Sequence, residues 1–146
     1  RSLSLLLAEE MTFVDTSHLI ALLNPRDSLH SRSMRWSAVV SEPLVLTEYV
    51  VLETVNYFSR PQHRAQAQAF VRFVRSDASY EVVPATRQLF ESGLAPHAAR
   101  NDTAWSLTDC ISFEVMRERG IRDALTFDEH FDQAGFRALL RSDPMG

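Results

Sequence analysis

At 146 residues the chain suits one compact domain with a sizeable core, not two. Its 45% apolar and 23% charged residues match ordinary globular proteins and exclude a disordered chain, and no uncharged apolar run approaches the roughly 20 residues a membrane span needs. A net charge of −4 gives no overall pull toward nucleic acid, so any such binding must come from local patches or a bound cation.

The first ten residues contain the apolar run Leu3 to Ala8 behind a lone Arg1. They lack the charged leader and small-residue cleavage site of a secretory signal. They read as an upstream extension or an expression remnant, with a single domain over 11–146. Met11–Val14 reads as the first strand, and Asp15 ends it where it can cap a helix starting near Thr16. Asn24 and Pro25 break that helix, and a second is expected over about 28–40. Pro43 introduces Leu44–Thr47, a short buried strand. Glu48–Ser59 contains no breaker and reads as a helix; Pro61 suits the first turn of the next, over about 62–75.

Tyr80–Val83 is the third expected strand. Thr86 begins a helix expected to fray around Gly93 and Pro96, which leaves 95–103 as a loop. Ser106 caps a strong helix that ends at Gly120, with Arg117 and Arg119 well placed in its last turn. Ala124–Phe127 reads as a strand, 128–134 as a short helix and 136–140 as a last strand. Short apolar runs alternating with longer helical ones predict a mainly parallel sheet with crossover helices.

One cysteine, Cys110, excludes an internal disulfide and suits a reducing cytoplasm. Five scattered histidines form no zinc-binding spacing. Every basic residue is arginine, which suits bidentate phosphate contacts but equally reflects a codon bias toward arginine.

The chemistry lies in the acidic residues. Asp15 and Asp128 each follow an apolar strand, MTFV and ALTF, at the strand end where open α/β sheets bind ligands. Each is also explained as a helix cap. Glu53 sits within TEYVVLETVNYF, on what reads as a largely apolar helix face, where a carboxylate needs a cation. Glu48 is better explained as a first-turn partner of the helix dipole. Asp109, three residues after Ser106, has the spacing of a capping box, which does not prevent it from holding a metal. Four carboxylates meeting at one place would repel each other without a cation. A hard divalent ion such as Mg2+, which takes oxygen ligands and polarises phosphate, resolves that repulsion.

FVDTS, VLETVN, WSLTDCISFEVM and ALTFDEHFDQAGF occur in the order found in PIN domains. Together they resemble most the VapC-type toxin ribonucleases, over nearly all of 11–140. The resemblance implies a PIN-like three-layer α/β/α sandwich, dependence on Mg2+ or Mn2+, and endonucleolytic cleavage of RNA. It carries the family's acidic positions onto Asp15, Glu53, Asp109 and Asp128, with Asp15 and Asp109 expected to bind metal most directly. It also implies an antitoxin partner, a homodimer, and a groove on the helices spanning 48–75.

Ser17 and Thr126 match small hydroxyl positions beside that site, where they orient water or phosphate or serve structure alone. His130 is either a phosphate contact or a surface helix residue. Arg64, Arg72 and Arg75 share a helix face with Gln68, either an RNA track or a solvated face. Asp102 reads as solvated. Trp36, Phe70, Phe73, Trp105 and Phe113 read as core or interface residues.

Other α/β classes that place an aspartate after the first strand fit less well. A receiver domain needs a lysine that this chain lacks, and a haloacid-dehalogenase-type phosphatase needs an aspartate where Ser17 stands. A housekeeping PIN nuclease, or an idle PIN domain acting as a binding module, shares the expected fold.

Overall fold

A computed structural model describes residues 11–145, so the expected extension 1–10 lies outside the described residues. Five strands form one parallel sheet: β1 (Thr12–Val14), β2 (Leu44–Thr47), β3 (Tyr80–Val83), β4 (Asp123–Leu125) and β5 (Arg137–Ala138). Their order is β3-β2-β1-β4-β5. Thr12 pairs with Leu44 on one side and Asp123 on the other, which makes β1 the central strand. All residues of β1 and β2 are buried, as expected for parallel strands covered on both faces.

Seven α-helices are described: α1 (Thr16–Leu23), α2 (His30–Ser37), α3 (Glu48–Tyr57), α4 (Arg64–Ser76), α5 (Arg87–Ala99), α6 (Leu107–Arg119) and α7 (Glu129–Gln133). The chain steps from β1 to β2 to β3 in one direction and then to β4 and β5 in the other. Right-handed crossovers therefore put α1–α4 on one face and α5–α7 on the other. The contacts agree: α1 packs on α2 and α3, and α3 on α4, while α6 packs on α5 and α7. The result is a three-layer α/β/α sandwich. No helix among the described residues is long and apolar enough to cross a membrane.

The core joins Phe13, Val45 and Leu125 of the sheet to Phe70 and Val74 of α4 and Phe113 and Met116 of α6. Trp36, Phe70, Trp105 and Phe113 are buried as expected, whereas Phe73 is exposed. The expected last strand shortens to β5 and continues as a 3-10 turn over Leu139–Arg141.

The largest departure from expectation is α5, which runs unbroken through Gly93 and Pro96 where a loop from 95 is expected. Glycine and proline cost a helix about 1 and 3 kcal/mol relative to alanine. Tertiary packing overrides both. Gly93 is buried against α6, with space for its hydrogen where a Cβ would collide with the Ile111 side chain and lie 3.2 Å from the Ile111 nitrogen. Thr86 caps the start, accepting from the Leu89 N–H at 3.1 Å. Pro96 falls in the last turn, where one missing N–H disturbs little of the ladder.

This packing reverses the usual effect of a glycine substitution. Gly93→Ala should destabilise the protein by about 1–3 kcal/mol through overpacking, despite alanine's better helix propensity. Urea denaturation checks the sign; a more stable variant would mean that α5 and α6 do not approach this closely.

Candidate functional site

Strand order reverses between β1 and β4, because β1 connects toward β2 and β4 toward β5. Side chains just past the carboxyl ends of these two strands face one crevice, the usual ligand position in open α/β sheets. Asp15 follows β1 directly, and Thr126 and Asp128 follow β4. The start of α6 brings Asp109 to the same place.

Asp15 occupies the N-cap position of α1, but its side chain makes no capping hydrogen bond. Its Oδ2 instead accepts from the Thr126 hydroxyl at 2.8 Å and from the Ser17 hydroxyl at 3.5 Å. Thr126 Oγ1 also accepts from the Asp128 N–H, and Ser17 Oγ from the Phe127 N–H. The two hydroxyls thus stitch the ends of β1 and β4 together and fix where Asp15 and Asp128 point. Capping does account for part of the other two aspartates. Asp109 completes a capping box with Ser106, its Oδ2 accepting from the Ser106 N–H at 3.0 Å. Asp128 Oδ1 accepts from the His130 N–H at 2.9 Å.

His130 is where expectation and structure differ most usefully. It is neither a free surface histidine nor an isolated phosphate contact, because its Nδ1 lies 2.9 Å from Asp109 Oδ2 and 3.3 Å from Asp128 Oδ1. Burial lowers its pKa, but the hydrogen bond to Asp109 and the charges of Asp128, Asp109 and Glu129 outweigh that and raise it overall. One ligand atom each from Asp109, Asp128 and His130 lie within 4.8 Å of one another, the spacing of a metal-binding group. The position of His130 two residues after a strand-end aspartate is the sequence signal for its place in the first turn of α7.

Asp15 is 6% exposed. Burial pushes its pKa up from 3.8 to about 7; hydrogen bonds from Thr126 and the Thr16 backbone oppose the rise, and the charges of Asp109 and Glu53 add to it. A buried carboxyl beside two further carboxylates is short of positive charge.

Glu53 corrects the sequence reading. It is exposed, so it escapes the desolvation that an apolar face would impose. The buried stripe of α3 is Val50 and Thr54, with Phe58 just beyond, and Glu53 lies off it. It nonetheless faces the site, because the Thr16 hydroxyl donates to Glu53 Oε1 at 2.6 Å. Thr16, expected only as the start of a helix, therefore links the rim carboxylate to the start of α1. Glu48 stays outside, accepting from the Ala85 N–H at 2.7 Å and facing Arg75 at 4.0 Å. Asp102 is exposed and paired with Arg100. Arg64 is also outside, beside Val55, Ser59 and Gln68 where α3 meets α4.

The donor set fits a hard divalent cation. Aspartate oxygens predominate, one imidazole accompanies them, and the proton that Asp15 would otherwise keep is replaceable by the ion's charge.

A family model described as PIN domain matches residues 12–137. The 23S rRNA-specific endonuclease VapC20 of Mycobacterium tuberculosis (strain CDC 1551 / Oshkosh) is 36% identical over 129 residues, covering 86% of this chain and 95% of that protein. The protein of the same name from strain ATCC 25618 / H37Rv matches to the same extent. The crystal structure of M. tuberculosis VapC20, described as a sarcin-ricin loop cleaving toxin, superposes with a TM-score of 0.81. That superposition covers 91% of this chain and 99% of the other at 30% identity.

The Asp15 environment sets a pH dependence. A carboxyl whose folded pKa is raised binds its proton more tightly in the native state, so metal-free stability falls as pH rises from about 4 to about 7. Asp15→Asn keeps the shape of the neutral acid and removes that loss. In EDTA the variant should match the parent near pH 4 and exceed it by about 4 kcal/mol at pH 8. Thermal or urea unfolding at both pH values tests this, and a variant less stable than the parent at pH 8 contradicts it.

Proposed function

The chain belongs to the PIN-domain family, and on that premise we propose that it is a divalent-metal-dependent endoribonuclease, the toxin of a VapBC-type toxin–antitoxin pair. The observation that carries the reading is the meeting of Asp15, Asp109 and Asp128 at the β1/β4 crevice, with Glu53 on its rim. The VapC20 relatives, named as an endonuclease of 23S rRNA, support RNA as the substrate.

In this reading Asp15, Asp109 and Asp128 hold a cation, Mg2+ or alternatively Mn2+, and Glu53 completes the charge balance. Such an ion supplies charge neutralisation and electrophilic assistance at the scissile phosphate. Thr126 and Ser17 keep the Asp15 carboxylate aimed into the crevice. Exposed Glu53, steadied by Thr16, is positioned to take a proton from attacking water. His130, its Nδ1 within reach of both Asp109 and Asp128, fixes the direction of the two carboxylates.

An antitoxin partner follows from the same family reading, with α3 and α4 as its groove, where Leu52 and Phe73 stand exposed. A homodimer belongs to the same proposal, as does a cytoplasmic location, which the single buried thiol of Cys110 suits. A housekeeping RNA-trimming nuclease would use the same carboxylates; an adjacent gene product that co-purifies with this chain distinguishes the toxin. The presence of all four acidic residues speaks against an idle binding module.

Activity tests the centre directly. Losing an outer partner of a metal site typically costs 10–100-fold, and losing a ligand should cost more. Asp15→Asn and Asp109→Asn should each lower Mg2+-supported RNA cleavage by at least about 100-fold, and EDTA should abolish cleavage by the parent. Parent-rate cleavage by both variants would sink the proposed site.

A further inference from the structure

Beyond the acidic crevice, the two helices that frame it lead to a second feature. A cavity of about 760 Å3 lies where the end of α1 meets the end of α3 and the turn into α4. Arg26, Arg60, Tyr57, Phe58, His63 and Gln66 line it, and none of its lining residues is acidic. In a chain of net charge −4 this is a local reversal of sign. Neither Arg26 nor Arg60 forms an ion pair with a carboxylate among the described residues, whereas most other arginines do.

The pocket is also aromatic and well supported. Tyr57 is 57% exposed. Buried Phe58 holds it edge-on at 5.0 Å, and Phe58 in turn contacts His63. The Gln66 amide donates to the Leu23 carbonyl at 2.7 Å, tying the start of α4 to the end of α1. The walls are therefore fixed, while the phenol ring and the two guanidinium groups face outward.

Its position gives the pocket a use. Tyr57 lies one turn beyond Glu53 on α3, about 6 Å along the axis and on the same side of the helix. Arg26 lies just past the end of α1, whose start holds Asp15, about 12 Å away along that helix. The pocket is thus the far end of the α1–α3 framework whose near end is the acidic crevice.

We propose that this pocket is a nucleotide subsite for single-stranded RNA, in which Tyr57 stacks on a base and Arg26 and Arg60 contact the flanking phosphates. It rests on the nuclease reading above and deepens it: the subsite holds nucleotides a few steps from the scissile phosphate. Each nucleotide offers both an anion and a flat π face, and an exposed tyrosine that shares one pocket with two arginines answers both. An acidic protein segment would engage the arginines and leave the ring of Tyr57 without a role. Stacking tolerates any base, so this site contributes grip and register more than sequence choice.

The test uses the intact protein and a short fluorescein-labelled single-stranded RNA, with binding followed by anisotropy in EDTA so that no cleavage intervenes. Tyr57→Ala should weaken binding roughly tenfold. The Arg26→Ala/Arg60→Ala double variant should lower the slope of log affinity against log salt by roughly 1.4. Arg122→Ala, an exposed arginine at the opposite end of β4, should lower it by less than half as much. With Mg2+ present, the loss in both pocket variants should fall on KM more than on kcat. Pocket variants that bind like the parent overturn the subsite while parental cleavage leaves the nuclease reading standing. A parent that binds RNA through this pocket yet cleaves none with any divalent ion overturns the nuclease reading instead.

Discussion

The structure depends on the parallel pairing of β1 with β4, in which Phe13 lies opposite Ala124 and Val14 opposite Leu125. Because the chain leaves β1 in one direction and β4 in the other, the helices that follow part to opposite faces and open a crevice at the strand ends. Two hydroxyls, Ser17 and Thr126, lie 3.2 Å apart across that crevice; Ser17 accepts from the Phe127 N–H beyond β4, and Thr126 from the Asp128 N–H at its own strand end. A one-residue slip in this pairing would turn Asp15 to the other face and dismantle the site.

Crowding acidic groups at a strand end has an electrostatic cost, and three of them defray it differently. Asp109 and Asp128 accept backbone N–H groups at helix starts, where the dipole favours anions. Both also share the His130 imidazole. Asp15, held chiefly by the hydroxyls of Thr126 and Ser17, is the most deeply buried of the three, and it is the group pushed toward neutrality. The cap and the metal ligand are therefore compatible roles for Asp109 and Asp128, and the choice between them that each residue presents in isolation dissolves in the assembled site.

A second buried histidine shows how differently the same side chain behaves without carboxylates. His18 is buried on α1, its Nδ1 has no partner among the described residues and its Nε2 lies 3.3 Å from the Ser37 hydroxyl. Burial alone drives its pKa down to about 3, so it remains a neutral packing group. The contrast with His130 follows from neighbours, not from residue type.

The residues alone determined the strand–helix alternation, the place of Asp15 directly after β1, and the capping box of Ser106 and Asp109, whereas β4 stops at Leu125 and not at Phe127, which leaves Asp128 three residues past it. Each depends on chemistry within a few positions: apolar runs, a capping hydroxyl, a breaker such as Pro25. Tertiary structure decided what local rules cannot reach. It carried α5 through Gly93 and Pro96, because packing on Ile111 outweighs propensity. It turned Glu53 to the exposed rim, since the direction in which α3 lies on the core, not the composition of its flanks, sets which residues are covered. It placed His130 between Asp109 and Asp128, a contact spanning 21 positions that arises only when α6 and α7 close on one crevice.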